Sequence, residues 1–125
     1  MNQTALLDTA AALALMDGDM SILLMILPIV SEQMNTDRHE IAEAIKTSDT
    51  ARIKAVSHRL KSSVGYIGAM RAQSACARLE SAAEHADAGV LAELRQQLET
   101  EIDALAPAIA TYLARQAAPA NSKAI

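Results

Sequence analysis

The sequence predicts an all-α protein, an up-down four-helix bundle with a short additional capping helix at its N-terminus. Apolar residues make up 51% of the 125 residues, enough for a core, but only 2% are aromatic. A core of aliphatic residues and alanine suits closely packed helices, whereas sheets favour β-branched and aromatic residues. Apolar positions also recur at spacings of three and four, the period of an amphipathic helix, in segments joined by short turns.

The first two helices are predicted on either side of a turn at residues 17–19. Apolar positions before residue 16 mark a short first helix that ends at this turn. Asp19 can cap the second helix, which carries the apolar run Ile22–Val30. Pro28 should kink this helix. The apolar pattern loosens around Met34–Asp37 and then resumes.

Three further helices complete the predicted bundle. Ser48 or Asp49 can cap the third helix, which ends before Gly68. The fourth helix is predicted over about residues 69–85 and the last over about residues 90–115. We therefore expect one bundle domain over residues 1–116, followed by a mobile tail over residues 117–125 that lacks helical periodicity.

Two features favour a cytoplasmic protein that does not enter a membrane. The first basic residue is Arg38, so the positively charged start of a signal peptide is missing. The run Ile22–Val30 is the most apolar stretch, but it is interrupted by Pro28. It is also much shorter than the roughly 20 residues that span a bilayer.

Composition excludes several classes of site. The single cysteine, Cys76, cannot form an internal disulfide or a cysteine-based metal site, and we expect a small buried hydrophobic residue there. The three histidines are far apart in sequence, so nothing indicates a metal site. Nucleic acid is not an expected partner, because basic residues are few and there is no aromatic stacking platform.

The predicted third helix places His58 on its outer face. At 100° per residue, His58 lies about 160° from the centre of the apolar stripe. Small residues share its face: Ala55, Ser62 and Gly65, with Lys61 to one side. An alternative is that serine and glycine only prepare the end of the helix and that His58 is an ordinary surface histidine. The apolar stripe consists of Ile53, Val56, Leu60, Val64 and Ile67.

Charge is distributed unevenly around His58. The chain carries a net charge of −4, yet no acidic residue lies between Asp49 and Glu80. We therefore predict a positive region that attracts phosphate or an acidic partner. The basic residues in this segment are Arg52, Lys54, Arg59, Lys61, Arg71 and Arg78.

An exposed histidine beside a lysine is suited to carrying a phosphoryl group. Neutral imidazole is a nucleophile that can form a covalent intermediate. Phosphoryl transfer needs mainly positioning and charge neutralisation, and Lys61 could neutralise the phosphoryl oxygens. The sequence contains no Gly-rich phosphate loop, so the phosphoryl donor should be another protein.

The segment His58–Ala69, HRLKSSVGYIGA, resembles the core motif of the histidine-containing phosphotransfer (HPt) domain of multistep two-component relays. That motif is roughly H-x-L-K-G-S/A-S/A-x-x-hydrophobic-G-A. Cys76, Leu79 and Glu80 resemble the C-x-x-L-E that follows it. Weaker matches at residues 7–8 and 18–19 extend the resemblance to about residues 5–114.

The resemblance implies that His58 is phosphorylated on Nε2, that Lys61 contacts the phosphoryl group and that Glu80 hydrogen-bonds the other ring nitrogen. For Glu80, a solvated carboxylate is the alternative. The implied partners are receiver domains of a hybrid histidine kinase and of response regulators. Magnesium would belong to the receiver, and this chain would have no cofactor, metal or kinase activity of its own. The receiver docking face would comprise Ala55, Arg59, Ser62 and Gly65.

Ser62 departs from the family pattern, which has glycine four residues after the histidine. Its hydroxyl could donate to a phosphoryl oxygen, or its side chain could narrow the choice of partner. One alternative function is a helical adaptor that docks on receiver or kinase domains without carrying phosphate. Another is a structural bundle that dimerises through Ile22–Val30, although we expect a monomer.

Overall fold

The computed structural model describes residues 4–123, with side chains described as far as residue 117, and it is helical with short connections. The prediction of an all-α protein is therefore confirmed for this part of the chain. The five helices are α1 (Thr9–Leu15), α2 (Met20–Lys46), α3 (Thr50–Tyr66), α4 (Met70–Ala82) and α5 (Ala88–Lys123).

Aspartates begin four of these five helices. In each case the side-chain carboxylate accepts a hydrogen bond from a backbone N–H of the first turn, which satisfies a donor that has no partner inside the helix. α4 differs, because its cap residue Ala69 provides no such bond. The capping residues are Asp8, Asp19, Asp49 and Asp87.

α2 is a single helix that continues through Pro28 and through the segment where the sequence pattern loosens. Met34 and Asp37 both face the interior, with exposed fractions of 0% and 1%. The buried Asp37 interrupts the apolar pattern without interrupting the helix, so the helical periodicity is weak in this part of the sequence.

α5 extends to Lys123, beyond the predicted end near residue 115. Its last turns are rich in alanine, the strongest helix-forming residue, so the helix continues after the apolar periodicity has faded. The mobility of residues 117–125 stays a prediction, and residues 124–125 lie outside the described part of the chain.

The four longer helices pack around one core. α2 contacts α3, α3 contacts α4, α4 contacts α5, and α5 contacts α2, while α1 contacts α2. The predicted stripe of α3 from Ile53 to Ile67 is at most 2% exposed, which confirms the core face. Cys76 is also fully buried, and desolvation raises the pKa of its thiol to about 12, so it is unreactive at neutral pH.

The apolar run Ile22–Val30 is divided between core and surface. Leu23 and Leu27 are fully buried, whereas Met25 and Ile29 are 62% and 59% exposed. Among the described residues, no single helix is long and apolar enough to cross a membrane. α1 and α2 reach that length and composition only when taken together, across a bend of 113°.

The segment before α1 is attached to the turn between α3 and α4. Asp8 N donates to Gly68 O at 2.8 Å, and Arg71 N donates to Ala5 O at 3.1 Å. Gly68 has φ +78°, and a Cβ there would lie 2.1 Å from Asp8 O. Both the backbone conformation and the close approach therefore require glycine. This attachment fixes the turn that joins the helix of His58 to the helix of Glu80.

Candidate functional site

His58 stands on the exposed side of α3, with 62% of its side chain accessible to solvent. Its Nδ1 lies 2.8 Å from Glu80 Oε2 on α4. An ionised carboxylate only accepts hydrogen bonds, so this contact assigns the ring proton to Nδ1. The lone pair of Nε2 is then available to attack an electrophile.

Glu80 holds Lys61 as well as His58. Lys61 Nζ lies 2.6 Å from Glu80 Oε1, so each carboxylate oxygen has one cationic or N–H partner. The hydrogen bond from Lys61, and then the one from His58, lower the pKa of Glu80. Because the pKa is lowered on folding, these contacts stabilise the protein at neutral pH and are lost only as the pH falls through the lowered pKa.

Ala55 and Ser62 are exposed beside His58, as the helical geometry predicts. The Ser62 hydroxyl donates to the backbone oxygen of His58 at 3.3 Å. Ser62, which stands where the family has glycine, therefore already donates its hydroxyl hydrogen bond to the backbone of α3. The side chain still adds bulk one turn beyond His58.

Gly65 is buried, contrary to its predicted place on the exposed docking face. A Cβ at this position would lie 2.1 Å from Gln73 Nε2, so the Gln73 side chain of α4 covers it. The prediction treated α3 as an isolated helix and could not include a side chain from its neighbour. The surface at this point belongs to Gln73, which the sequence reasoning missed.

These groups can accept a phosphoryl group at an exposed nitrogen. The arrangement provides a nucleophilic Nε2, a carboxylate on the opposite side of the ring, and an ammonium group one turn away. Within residues 4–123, no three His, Cys, Asp or Glu side chains are grouped so as to hold a metal ion.

A family model for the Hpt domain matches residues 26–108, more than half of the chain and the whole of α3 and α4. The chain belongs to the Hpt domain family. The resemblance inferred from the sequence is thus confirmed. A search of the curated proteins finds no match.

Two solved structures share the fold of this Hpt domain at low sequence identity. One is histidine-containing phosphotransfer protein B from Pseudomonas aeruginosa PAO1, at 17% identity and a TM-score of 0.81, covering 90% of this chain and 97% of that one. The other is the HPT domain of a sensor hybrid histidine kinase from Shewanella, at 20% identity and a TM-score of 0.77, covering 87% and 94%.

Arg59 of this Hpt domain is held by two carboxylates of α2. Its NH2 group donates to Asp37 Oδ1 at 2.6 Å and to Glu40 Oε2 at 3.1 Å. The hydrogen bond with Asp37 is the main cause of the raised pKa of Arg59. Gln33 donates to the second Asp37 oxygen at 3.2 Å. Arg59, predicted as a docking residue, therefore also neutralises a buried carboxylate.

The positive region predicted around His58 is largely matched by carboxylates. Five of the six basic residues between positions 49 and 80 lie within 4 Å of an acidic side chain. The partners lie on α2, α4 and α5 and in the turn after α4, so they cannot be seen in the local sequence. The ion pairs not yet described are Arg52–Glu40 at 3.7 Å, Lys54–Glu84 at 2.9 Å and Arg71–Glu101 at 2.9 Å. The Arg71–Glu101 contact is an ion pair without the geometry of a hydrogen bond.

Replacing Arg59 with alanine should lower the free energy of unfolding by about 1–3 kcal/mol, because the buried Asp37 side chain would lose its cationic partner and retain only the hydrogen bond from Gln33. Urea unfolding measures the change. The double variant Arg59→Ala/Asp37→Asn should recover part of the loss, because it removes the buried charge as well. If the double variant is destabilised by the sum of the two single changes, the Arg59–Asp37 pair does not contribute as described.

Proposed function

We propose that this Hpt domain is a phosphorelay intermediate. His58 accepts a phosphoryl group from a receiver-domain aspartate of a hybrid sensor kinase and passes it to the receiver of a response regulator. Family membership supports a phosphotransfer role. The observation that carries the proposal is the exposed imidazole whose Nδ1 is bound to Glu80, which leaves Nε2 as the nucleophilic ring nitrogen.

Transfer follows from this geometry. The Nε2 lone pair of His58 attacks the phosphorus of the receiver's aspartyl phosphate, an Nε2–P bond forms and the P–O bond to the aspartate breaks. The aspartate leaves as a carboxylate. The ring keeps its proton on Nδ1 and becomes positively charged, and the Glu80 carboxylate stabilises that charge. Transfer to the second receiver reverses these steps, with its aspartate as the nucleophile.

Lys61 is proposed to stabilise the phosphoryl oxygens during transfer. An ammonium group has three donors, so Lys61 can keep its contact with Glu80 and still donate to the phosphoryl group. The docking face is proposed to include Ala55, Arg59 and Ser62, with Gln73 in place of the surface predicted for Gly65.

Lys61→Ala should slow phosphoryl transfer more than it weakens docking. Loss of one preorganised positive group could raise the barrier by roughly 2–4 kcal/mol, by analogy with removal of an oxyanion donor. Receiver affinity and single-turnover transfer should be measured on the same variant. Lys54, which pairs with Glu84, provides the control Lys54→Ala. Equal losses of affinity and rate would make Lys61 a docking contact.

The central test is incubation of the protein with phosphorylated receiver domains from the same organism. Acid-labile label should appear on this chain and then pass to a second, unphosphorylated receiver. Binding of receivers without any transfer of label would contradict the relay. That result would favour the second candidate, a helical adaptor that docks on receiver or kinase domains through the same face.

Further properties are proposed with this function. The four longer helices would form an up-down bundle capped by α1, and the protein would act as a monomer in the cytoplasm. The magnesium ion that supports transfer would be held by the receiver. Sedimentation measures the oligomeric state. A dimer that dissociates when the exposed Met25 and Ile29 are replaced by polar residues would contradict the monomer and support association through Ile22–Val30.

A further inference from the structure

Two residue pairs define the seam between α3 and α4. His58 faces Glu80 across this seam, and Gly65 faces Gln73. Residue numbers rise along α3 as they fall along α4, so the two helices are antiparallel along the seam. Seven residues of helix separate Gly65 from His58 by about 10.5 Å along the axis, on nearly the same side of α3.

Gly65 provides the space in which the Gln73 side chain lies across α3. A Cβ at position 65 would be 2.1 Å from Gln73 Nε2 and 3.0 Å from its Cδ. The end of the helix does not require glycine here, because the left-handed conformation that ends α3 is adopted by Gly68 and not by Gly65. Any other residue at position 65 would therefore require the end of the Gln73 side chain to move.

The Gln73 amide is a polar group on the seam that remains available to a partner. Glu80 already binds both Lys61 and His58. Lys61 is assigned to the phosphoryl group, and the Ser62 hydroxyl is bound to the backbone of α3. The side chain of Gln73 is half-buried and makes no hydrogen bond to any described residue. Its amide offers one donor group and one acceptor, the same pattern as a peptide group.

A partner that reaches His58 must also cover Gln73. A typical protein interface buries about 800 Å² on each partner, a patch with a radius of about 16 Å. Gln73 lies well inside such a patch centred on His58. We infer that Gln73 is a specificity-determining residue, whose amide hydrogen-bonds the backbone of the docked receiver domain. This inference rests on the proposed function.

The experiment compares Gln73→Ala with Gln97→Ala, which removes an exposed glutamine from α5. Affinity for an isolated receiver domain should fall about 2- to 10-fold in Gln73→Ala, the range expected for one hydrogen bond. It should not change in Gln97→Ala. Labelling of His58 by phosphoramidate, a small phosphoryl donor that needs no docking, should be the same in both variants and in the wild type.

Gly65→Ala provides a second test, because it should displace Gln73 and weaken receiver binding by a similar factor. The double variant Gly65→Ala/Gln73→Ala should bind no more weakly than either single variant. If Gln73→Ala binds the receiver domain as tightly as the wild type, the inference about Gln73 is wrong while the proposed function stands. The same conclusion follows if phosphoramidate labels Gln73→Ala more slowly, because the substitution would then act on His58 itself and not on docking. If the wild type is labelled by phosphoramidate but by no phosphorylated receiver domain, the proposed function is wrong, and the inference about Gln73 is wrong with it.

Discussion

Replacing His58 with glutamine should abolish acceptance of a phosphoryl group while leaving the fold intact. The change removes the nucleophilic nitrogen from a side chain that is 62% exposed. Surface substitutions usually change stability by less than about 0.5 kcal/mol. A glutamine amide can also still donate to Glu80. Incubation with a labelled phospho-receiver measures the expected loss, and circular dichroism monitors the fold.

The other two histidines supply the controls for this experiment. His39 and His85 are also exposed, on α2 and after α4. His39→Gln and His85→Gln should accept label as the wild type does, because neither residue belongs to the seam of His58 and Glu80. If His58→Gln still accepts the label, another residue carries the phosphoryl group and the proposed site is wrong.

Truncating Leu60 should have the largest effect on stability among the proposed variants. Leu60 is fully buried in the middle of the α3 stripe, two residues from His58. Leu→Ala changes in a core typically cost about 2–5 kcal/mol, because transfer energy is lost and a cavity is left. Urea unfolding of Leu60→Ala should therefore show a much lower midpoint, or no cooperative transition.

Leu15→Ala is the matched control for Leu60→Ala, because Leu15 is 53% exposed at the end of α1. The same chemical change should be nearly neutral there. Equal unfolding midpoints for the two variants would mean that the assignment of the buried face of α3 is wrong. The exposure of His58 on the opposite face would then be wrong as well.

The local geometry of α3 could be predicted from the sequence because it depends on one helix. Residues at 100° intervals place Leu60 inside and His58 outside whatever the neighbouring helices are. The pairing of His58 with Glu80 is different, because these residues lie on different helices. The resemblance to the HPt domain implied that pairing, and spacing alone did not.

Contacts between helices account for what the sequence did not reveal. Asp37 is a polar residue at a core position of α2, and its partner Arg59 lies on α3. Gln73 reaches Gly65 only because α4 packs beside α3. The charge around His58 also depends on neighbouring elements, since carboxylates of α2, of α4 and the turn after it, and of α5 pair with five of the six basic residues between positions 49 and 80. Each of these features required knowledge of which helix faces are adjacent.

The attachment of Ala5–Asp8 to the α3–α4 turn has a consequence for the order of folding. Its hydrogen bonds join residues that are far apart in sequence, whereas α3 and α4 are neighbours linked by a short turn. Closing a long loop costs more chain entropy than closing a short one, so the α3–α4 hairpin should form before the N-terminal segment docks. Interactions that form after the transition state mainly slow unfolding. We therefore expect the attachment of the N-terminal segment to lower the unfolding rate of the α3–α4 hairpin that carries His58.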